Sequence, residues 1–309
     1  MALLVTQGVS ADGLTPAALT DAALGFALFP LAALTRNIPV APLMRPLTGS
    51  QFALYVAKMD PQAREQAILK EILGGNLPGF LRNLARVELK YQPPTGKALT
   101  ATVFVMPEYL AIGSSKDFLR IPMNLYTASA VASKLGFILP TRKIVDAIYL
   151  QSAFHFSPAP MTAGPQMRST DYYRVHNQKI DEQSQALGVT PGALVSGHKK
   201  DVVMTSLLDR TPGRIAIYGW HRLTGAPIQP LSTVHGACYA DYSHGIRLVS
   251  EMALVDGQPV SIYDLLKDPQ LSGIVSDEGP IRDLRQFMTR TAAEMPCGET
   301  ARPAPRPTV

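Results

Sequence analysis

The chain has 309 residues, 46% of them hydrophobic and 17% charged, with a formal net charge of +5 at pH 7. That length and apolar share can bury a large core and exclude a disordered or fibrous chain. The 29 basic and 24 acidic residues are scattered rather than gathered on one face, which argues against nucleic-acid binding.

Residues 1–58 are rich in alanine and leucine, with Ser10, Thr15 and Thr20 placed to cap short helices, so a helical N-terminal region packed on the rest is expected. The most apolar stretch, Ala22 to Leu34, is too short to span a bilayer and contains Pro30, so no transmembrane segment is predicted. The first basic residue is Arg36, behind that stretch, so the start as written lacks the pattern of an export signal. Asp60-Pro61 reads as a cap and first helical residue, and the stripe Ile68, Leu69, Ile72 and Leu73 predicts a helix over 61–73 that stops at Gly74-Gly75. A shorter helical turn over 79–86 and the break at Pro93-Pro94 and Gly96 then suggest a boundary near residue 95.

From Leu99 the composition turns toward strands. Residues 102–105 and 109–112, separated by Pro107, read as a hairpin-like pair. Helices are predicted over 125–135, stopped by Gly136, and over 141–152; a proline-rich connector or lid follows over 157–165, then a helix over 170–187 capped by Ser169. Strands follow over 201–205 and 214–218, with 226–231 folding back on the second. A strand over 246–255 ends in the hairpin signal Asp256-Gly257, a short helix covers 262–268, and a proline-rich tail begins at 302. The expected class is α+β, a helical N-terminal region (1–95) packed on a mixed, mainly antiparallel sheet domain (96–309).

Four of the six histidines, His198, His221, His235 and His244, fall between positions 198 and 244. The densest part is Ser232 to Arg247, which holds His235, Cys238, Tyr239, Asp241, Ser243 and His244. In a straight strand Asp241 and His244 would point to opposite faces, so they meet only if the chain bends at Ser243-His244-Gly245. One reading is a divalent metal site, zinc being the natural ion, with His235, Asp241 and His244 as ligands and a bound water as nucleophile. His198 and His221 would then converge on it, one or the other serving as an alternative ligand or as the acid–base partner. A second reading is nucleophilic catalysis without metal, by Cys238 activated by His235 or His244, or by Ser243 with His235 and Asp241. No glycine-flanked nucleophile elbow occurs, which argues against an α/β-hydrolase. In a third reading the cluster is purely structural and the protein is a non-catalytic binding or structural protein.

Around this centre, Trp220, Lys199, Tyr239 and Arg247 are candidate substrate-binding residues. Trp220 offers an aromatic floor for a sugar or peptide, the Lys199-Lys200 doublet a charge for an anionic substrate or else a solvated surface, and Arg247 a partner for Asp241 or a substrate carboxylate. Glu108 and Asp117 give no paired-carboxylate signal, and His155 and His176 read as structural. Cys238 and Cys297 are the only cysteines, which excludes a disulfide framework and leaves room for one bridge.

His235-Gly236 followed by Ser243-His244-Gly245-Ile246-Arg247-Leu248 resembles the L,D-transpeptidase pattern, a His-Gly ahead of a Ser-His-Gly-Cys-Ile/Val-Arg run. The catalytic cysteine of that run is missing, because Gly245 is followed directly by Ile246, so the family's activity does not carry over. Separately, Gly197-His198-Lys199-Lys200-Asp201, Tyr218-Gly219-Trp220-His221, Pro227-Ile228-Gln229-Pro230 and Tyr239-Ala240-Asp241-Tyr242-Ser243-His244-Gly245 resemble segments of an uncharacterised, often exported bacterial protein family, over residues 95–280. Together these resemblances imply a location outside the cytoplasm and a peptide or glycan polymer of the cell envelope as substrate. They imply no mechanism, and oligomeric state is left open.

Overall fold

The computed structural model describes residues 31–40, 46–294 and 297. The caps expected at Ser10, Thr15 and Thr20 and the tail from 302 lie outside the described residues. The protein is α+β.

Helices form where the caps predict them. A single turn, α1 (Leu31–Leu34), precedes α2 (Gly49–Val56), which opens with a reciprocal cap. The Gln51 N–H donates to Thr48 Oγ1 at 3.3 Å, and the Thr48 N–H donates to Gln51 Oε1 at 3.0 Å. Helix α3 (Pro61–Leu73) has its first free N–H groups met by Asp60, whose side chain accepts from Ala63 at 2.9 Å. Asn124, Thr141 and Ser169 do the same for α4 (Leu125–Leu135), α5 (Arg142–Gln151) and α6 (Thr170–Ala186). Gly136, at φ +78°, ends α4 in the left-handed conformation open to a residue without Cβ.

Strand pairing departs from the expectation. Strand β1 (Ala85–Tyr91) forms an antiparallel hairpin with β2 (Leu99–Val105), so the boundary expected near residue 95 is a hairpin turn, and one hydrophobic core runs through both sides of it. The alternation that builds β1 was in plain view: Val87 and Leu89 are buried between exposed Arg86, Glu88 and Lys90. Strand β3 (Ala111–Gly113) does not pair with β2; it pairs with β4 (Phe118–Arg120), because the chain leaves β2 through Pro107 and lays Leu110 against the carbonyl of Ile246 at 2.7 Å.

The main antiparallel sheet runs β14 (Gln258–Ser261), β13 (Met252–Val255), β2, β12 (Val249–Ser250), β5 (Phe137–Ile138), with β1 also on β2. The strand expected over 246–255 is thus cut at Glu251, while Asp256 and Gly257 make the predicted hairpin turn with φ +46° and +82°. A parallel pair joins β6 (Phe154–His155) to β7 (Val195–Ser196). The second sheet has the order β10 (Pro227–Gly236), β9 (Arg214–His221), β8 (Lys200–Val202), β11 (His244–Gly245), and its last pair is parallel. Helix α7 (Leu207–Arg210) precedes β9, α8 (Ile262–Lys267) follows β14, and α9 (Leu284–Glu294), not foreseen, packs on α4.

Candidate active site

The site is made by the return of the chain from β10 to β11. Residues 237–243 form turns, not a strand, and they are clamped from several directions. Ala237 accepts from the Leu125 N–H at 3.0 Å and donates to Gly213 at 2.8 Å; Tyr242 donates to Met167 at 3.0 Å; the Ala240 carbonyl accepts from the Tyr173 hydroxyl at 3.2 Å. Cys238 is bonded to Cys297, 59 positions away, just beyond α9. The reading of Cys238 as a nucleophile is therefore corrected: its sulfur is held in a disulfide and has no thiolate to offer.

The bend places Asp241 and His244 together. Asp241 Oδ1 accepts from the Ser243 N–H at 2.7 Å and the Ser243 hydroxyl at 2.6 Å, and Oδ2 accepts from the Tyr239 hydroxyl at 3.0 Å. Burial alone would raise the pKa of this carboxyl, but His244, the Ser243 donors and Lys200 outweigh it and hold it below the ordinary range. Ser243 is fully buried and its hydroxyl donates to Asp241, so no imidazole is in contact with it as the Ser243 nucleophile reading requires. His244 is also fully buried, and neither ring nitrogen has a hydrogen-bond partner. Desolvation keeps it uncharged at neutral pH against the pull of Asp241, with His235, Lys200 and Lys199 adding to the effect. His235 is half-buried and likewise pushed down by desolvation. Its ring stacks on Tyr239 at 4.2 Å, and the His244 ring lies 6.0 Å from His235 and 5.7 Å from Tyr239.

The other two histidines of the sequence cluster pair elsewhere. His198 Nε2 lies 2.7 Å from Glu108 Oε1, so its neutral tautomer carries the proton there; burial lowers its pKa to about 4 against the attraction of Glu108. Glu108 also accepts from the Tyr109 N–H at 2.7 Å and from Arg120 Nε at 2.9 Å, and Arg120 reaches Asp181 at 2.8 Å. Glu108 is held well below the carboxylate range because Arg120 and His198 outweigh its burial. His221 lies on β9, two strands from His244, where its Nε2 is 3.1 Å from Asp146 Oδ1 and its ring stacks on Tyr149. The expected convergence of His198 and His221 on the centre is thus corrected, since each is bound to its own carboxylate.

Three candidate substrate-binding residues sit in the interior. Lys199 is 1% exposed and donates to the Tyr242 carbonyl at 2.6 Å; burial lowers its pKa to about 7. It is not a solvated surface lysine. Arg247 is 1% exposed and is spent on the carbonyls of Met106 and Val195 at 2.8 and 2.7 Å, with its guanidinium 4.3 Å over the Tyr109 ring. Trp220 is buried against His176 and Tyr242 with φ +53°, a strained conformation for an aromatic residue. Gly245 separates the two clusters: a Cβ there would lie 2.6 Å from the Tyr109 ring and 2.7 Å from Lys199 Cβ.

Two cationic side chains lie over aromatic rings close to these residues. Arg168 is exposed with its guanidinium 5.4 Å over Tyr239, and Lys200, paired in register with His244, has its ammonium 5.2 Å over Trp220. Lys200 was legible as half of the doublet; Arg168, on a 3-10 turn remote in sequence, carried no signal. Among the described residues no group of three or more His, Cys, Asp or Glu side chains is arranged to hold a metal ion, and no helix is long and apolar enough to cross a membrane. No family model, no curated protein and no solved structure matches this chain, so the reading of its function rests on the geometry of residues 235–244.

Proposed function

We propose that this protein is a hydrolase whose centre is His235, Tyr239, Asp241 and His244 and whose substrate is a peptide or glycan polymer of the bacterial cell envelope. The observation that carries the reading is His244: an uncharged imidazole, wholly buried with both nitrogens unpartnered, as His176 also is, but lying beside an ionised carboxylate where His176 has only cationic groups around it. Leaving a buried polar group unpaired costs about 1–3 kcal/mol, and such costs concentrate at functional sites. His244 takes a proton from the attacking water, and Asp241 stabilises the imidazolium that results. The three donors that fix both Asp241 oxygens keep the carboxylate in place during that step. The imidazolium formed at His244 returns its proton to the leaving group, and His235, half-buried and stacked on Tyr239, forms the outer wall. The polymer substrate is suggested by the transpeptidase-like run and the often-exported segments.

A second reading has His235 and His244 ligate zinc, since their rings are neighbours at 6.0 Å. Two imidazole nitrogens about 2 Å from one tetrahedral ion put the ring centres roughly 5 Å apart, so the rings would have to close by about 1 Å. Asp241 would join only by giving up a Tyr239 or Ser243 bond. Release of soluble fragments from labelled envelope polymers tests the first reading. His244→Gln is expected to lower the rate by at least ~100-fold, the usual size of a lost general base, with melting temperature nearly unchanged. A wild-type protein that releases nothing, or a variant that keeps its rate, overturns it. Calorimetric titration with zinc decides the second, and absence of stoichiometric binding removes it.

A further inference from the structure

We infer that the groove between α3 and the start of α4 binds a single linear alkyl chain, that of a free medium-chain fatty acid, with its carboxylate at Lys70. This is independent of the hydrolase reading. A cavity of about 330 Å³ follows one face of α3 from Gln62 to Leu73, at the three- and four-residue steps that bring side chains to one side, with Asn124, Tyr126 and Cys297 on the opposite wall. Its lining is mostly carbon, Leu69 and Leu73 stand half-buried in it, and Gln62, Gln66 and Lys70 are exposed at its rim. An apolar groove says little by itself; Glu65 marks this one. Glu65 lines the cavity yet is only 5% exposed. Its Oε1 accepts from the Asn124 N–H at 3.1 Å, and Oε2 is buried without a hydrogen bond, although the Thr127 hydroxyl is near enough to act on the carboxyl. Burial pushes this carboxyl up to about 7 against the pull of Arg64 and Arg168. A carboxyl held that dry tolerates a hydrocarbon laid over it and resists a second charge pressed against it.

Shape and charge select the ligand. The lining positions of α3 span about 16 Å of helix axis, and a volume of about 330 Å³ holds roughly eleven units of a water's size, ~30 Å³ each. The space is long and narrow, which suits an extended chain of about ten carbons. On the groove itself Lys70 is cationic and Glu65 carries at most one negative charge, and Arg64 and Arg168 act on Glu65. Glu294, which acts on Tyr126, is paired with Arg290 at 3.9 Å, and at the neighbouring site Lys199 and Lys200 together face Asp241. The balance is positive, so an anionic head is attracted and a cationic one repelled. Lys70 lies about 7.5 Å along the axis from Glu65, which keeps the head off the buried carboxyl.

The test is calorimetric titration of the whole protein with monomeric hexanoate, octanoate and decanoate. Saturable binding is expected, tightening roughly fourfold per added methylene, the equivalent of ~0.8 kcal/mol per buried CH₂. Decanoate is expected to bind at least ~3-fold more tightly than decyltrimethylammonium. Gln66→Trp, at an exposed rim position, is expected to fill the groove and abolish binding with the melting temperature kept. Lys70→Gln is expected to weaken decanoate about threefold, the scale of an exposed ion pair, and to leave decanol unchanged. By carbon-13 NMR the Glu65 carboxyl, assigned with Glu65→Gln, is expected to titrate at higher pH in the presence of decanoate, because a chain over it removes its remaining water. Affinity flat in chain length, decyltrimethylammonium binding as tightly as decanoate, binding that survives Gln66→Trp, a Glu65 midpoint that does not move, or partitioning onto phosphatidylcholine vesicles with no saturable binding of decanoate overturns the inference. Fatty-acid binding in a protein that cleaves no polymer leaves the groove standing and removes only the hydrolase; cleavage without that binding does the reverse.

Discussion

Two buried clusters of the same residue types, one on either side of Gly245, differ in how completely their polar atoms are used. Around Glu108 the carboxylate accepts from Tyr109, His198 and Arg120, and Arg120 goes on to Asp181, which leaves only Nδ1 of the His198 ring without a partner. Around Asp241 the carboxylate is equally well served, yet the neighbouring His244 has nothing to bond. The first cluster is what a fold requires of a buried charge. The second holds an imidazole that the fold leaves without a partner. Histidine and acid content in sequence cannot tell these apart; the bonds to the imidazoles, one for His198 and none for His244, can.

The comparison breaks most visibly at Glu108. Glu108→Ala leaves Arg120 and His198 buried without their acceptor, and a loss of about 3–5 kcal/mol is expected in chemical denaturation; a loss under ~1 kcal/mol would show that the first cluster is not structural. Next in size is the disulfide. Cys238→Ser, or reduction by a dithiol, frees the 237–243 turns from α9, and about 2–4 kcal/mol of stability is expected to go with it, together with the order of Tyr239 and Asp241. If reduced protein keeps both its denaturation midpoint and an uncharged His244 at neutral pH, read by NMR titration, the tether is dispensable to the site.

The finest test is the pH dependence of stability. A buried histidine whose folded pKa lies below its unfolded value of about 6.5 costs nothing above that pH. As the pH falls through it, the unfolded chain takes up a proton that the folded one refuses. Stability is therefore full above about 6.5 and lost toward acid, at a slope approaching ~1.4 kcal/mol per pH unit for one group. Because Glu65 and Asp201, both raised by burial, act in the opposite sense, the informative quantity is the difference between wild type and His244→Gln. That difference is expected to move against the wild type as pH drops from 7 to 5; a difference independent of pH would mean that His244 is solvated in the folded protein.

Much of the helical structure was legible because it is local. Asp60-Pro61, Ser169 and Gly136 announce helix ends through bonds spanning three or four residues, and α3, α4 and α6 begin and end within a residue of where those signals put them. Strand partners were not, since pairing is decided by what else competes for an edge: β2 is taken by β1, β12 and β13, leaving β3 to find β4. At the site, the bend that joins Asp241 to His244 could be stated as a condition from strand alternation and is met by the turns before His244. What escaped was every relation of long range. The Cys238–Cys297 bond, the Glu108–His198 pair and the position of Arg168 over Tyr239 join residues 59, 90 and 71 positions apart. Lys199 and Lys200 read as equivalent neighbours, yet the pleat sends one into the interior and leaves the other half-buried.

At residue 245 a lone hydrogen is all that the chain places between the Tyr109 ring and the backbone leading into His244. Tyr109 in turn donates its hydroxyl to Asp201 and its N–H to Glu108. The partition between scaffold and chemistry is therefore only one atom thick, and side chains added there would push on both compartments at once. Variation that enlarges position 245 should register as lost folding and lost ligand response together, with no substitution able to separate them.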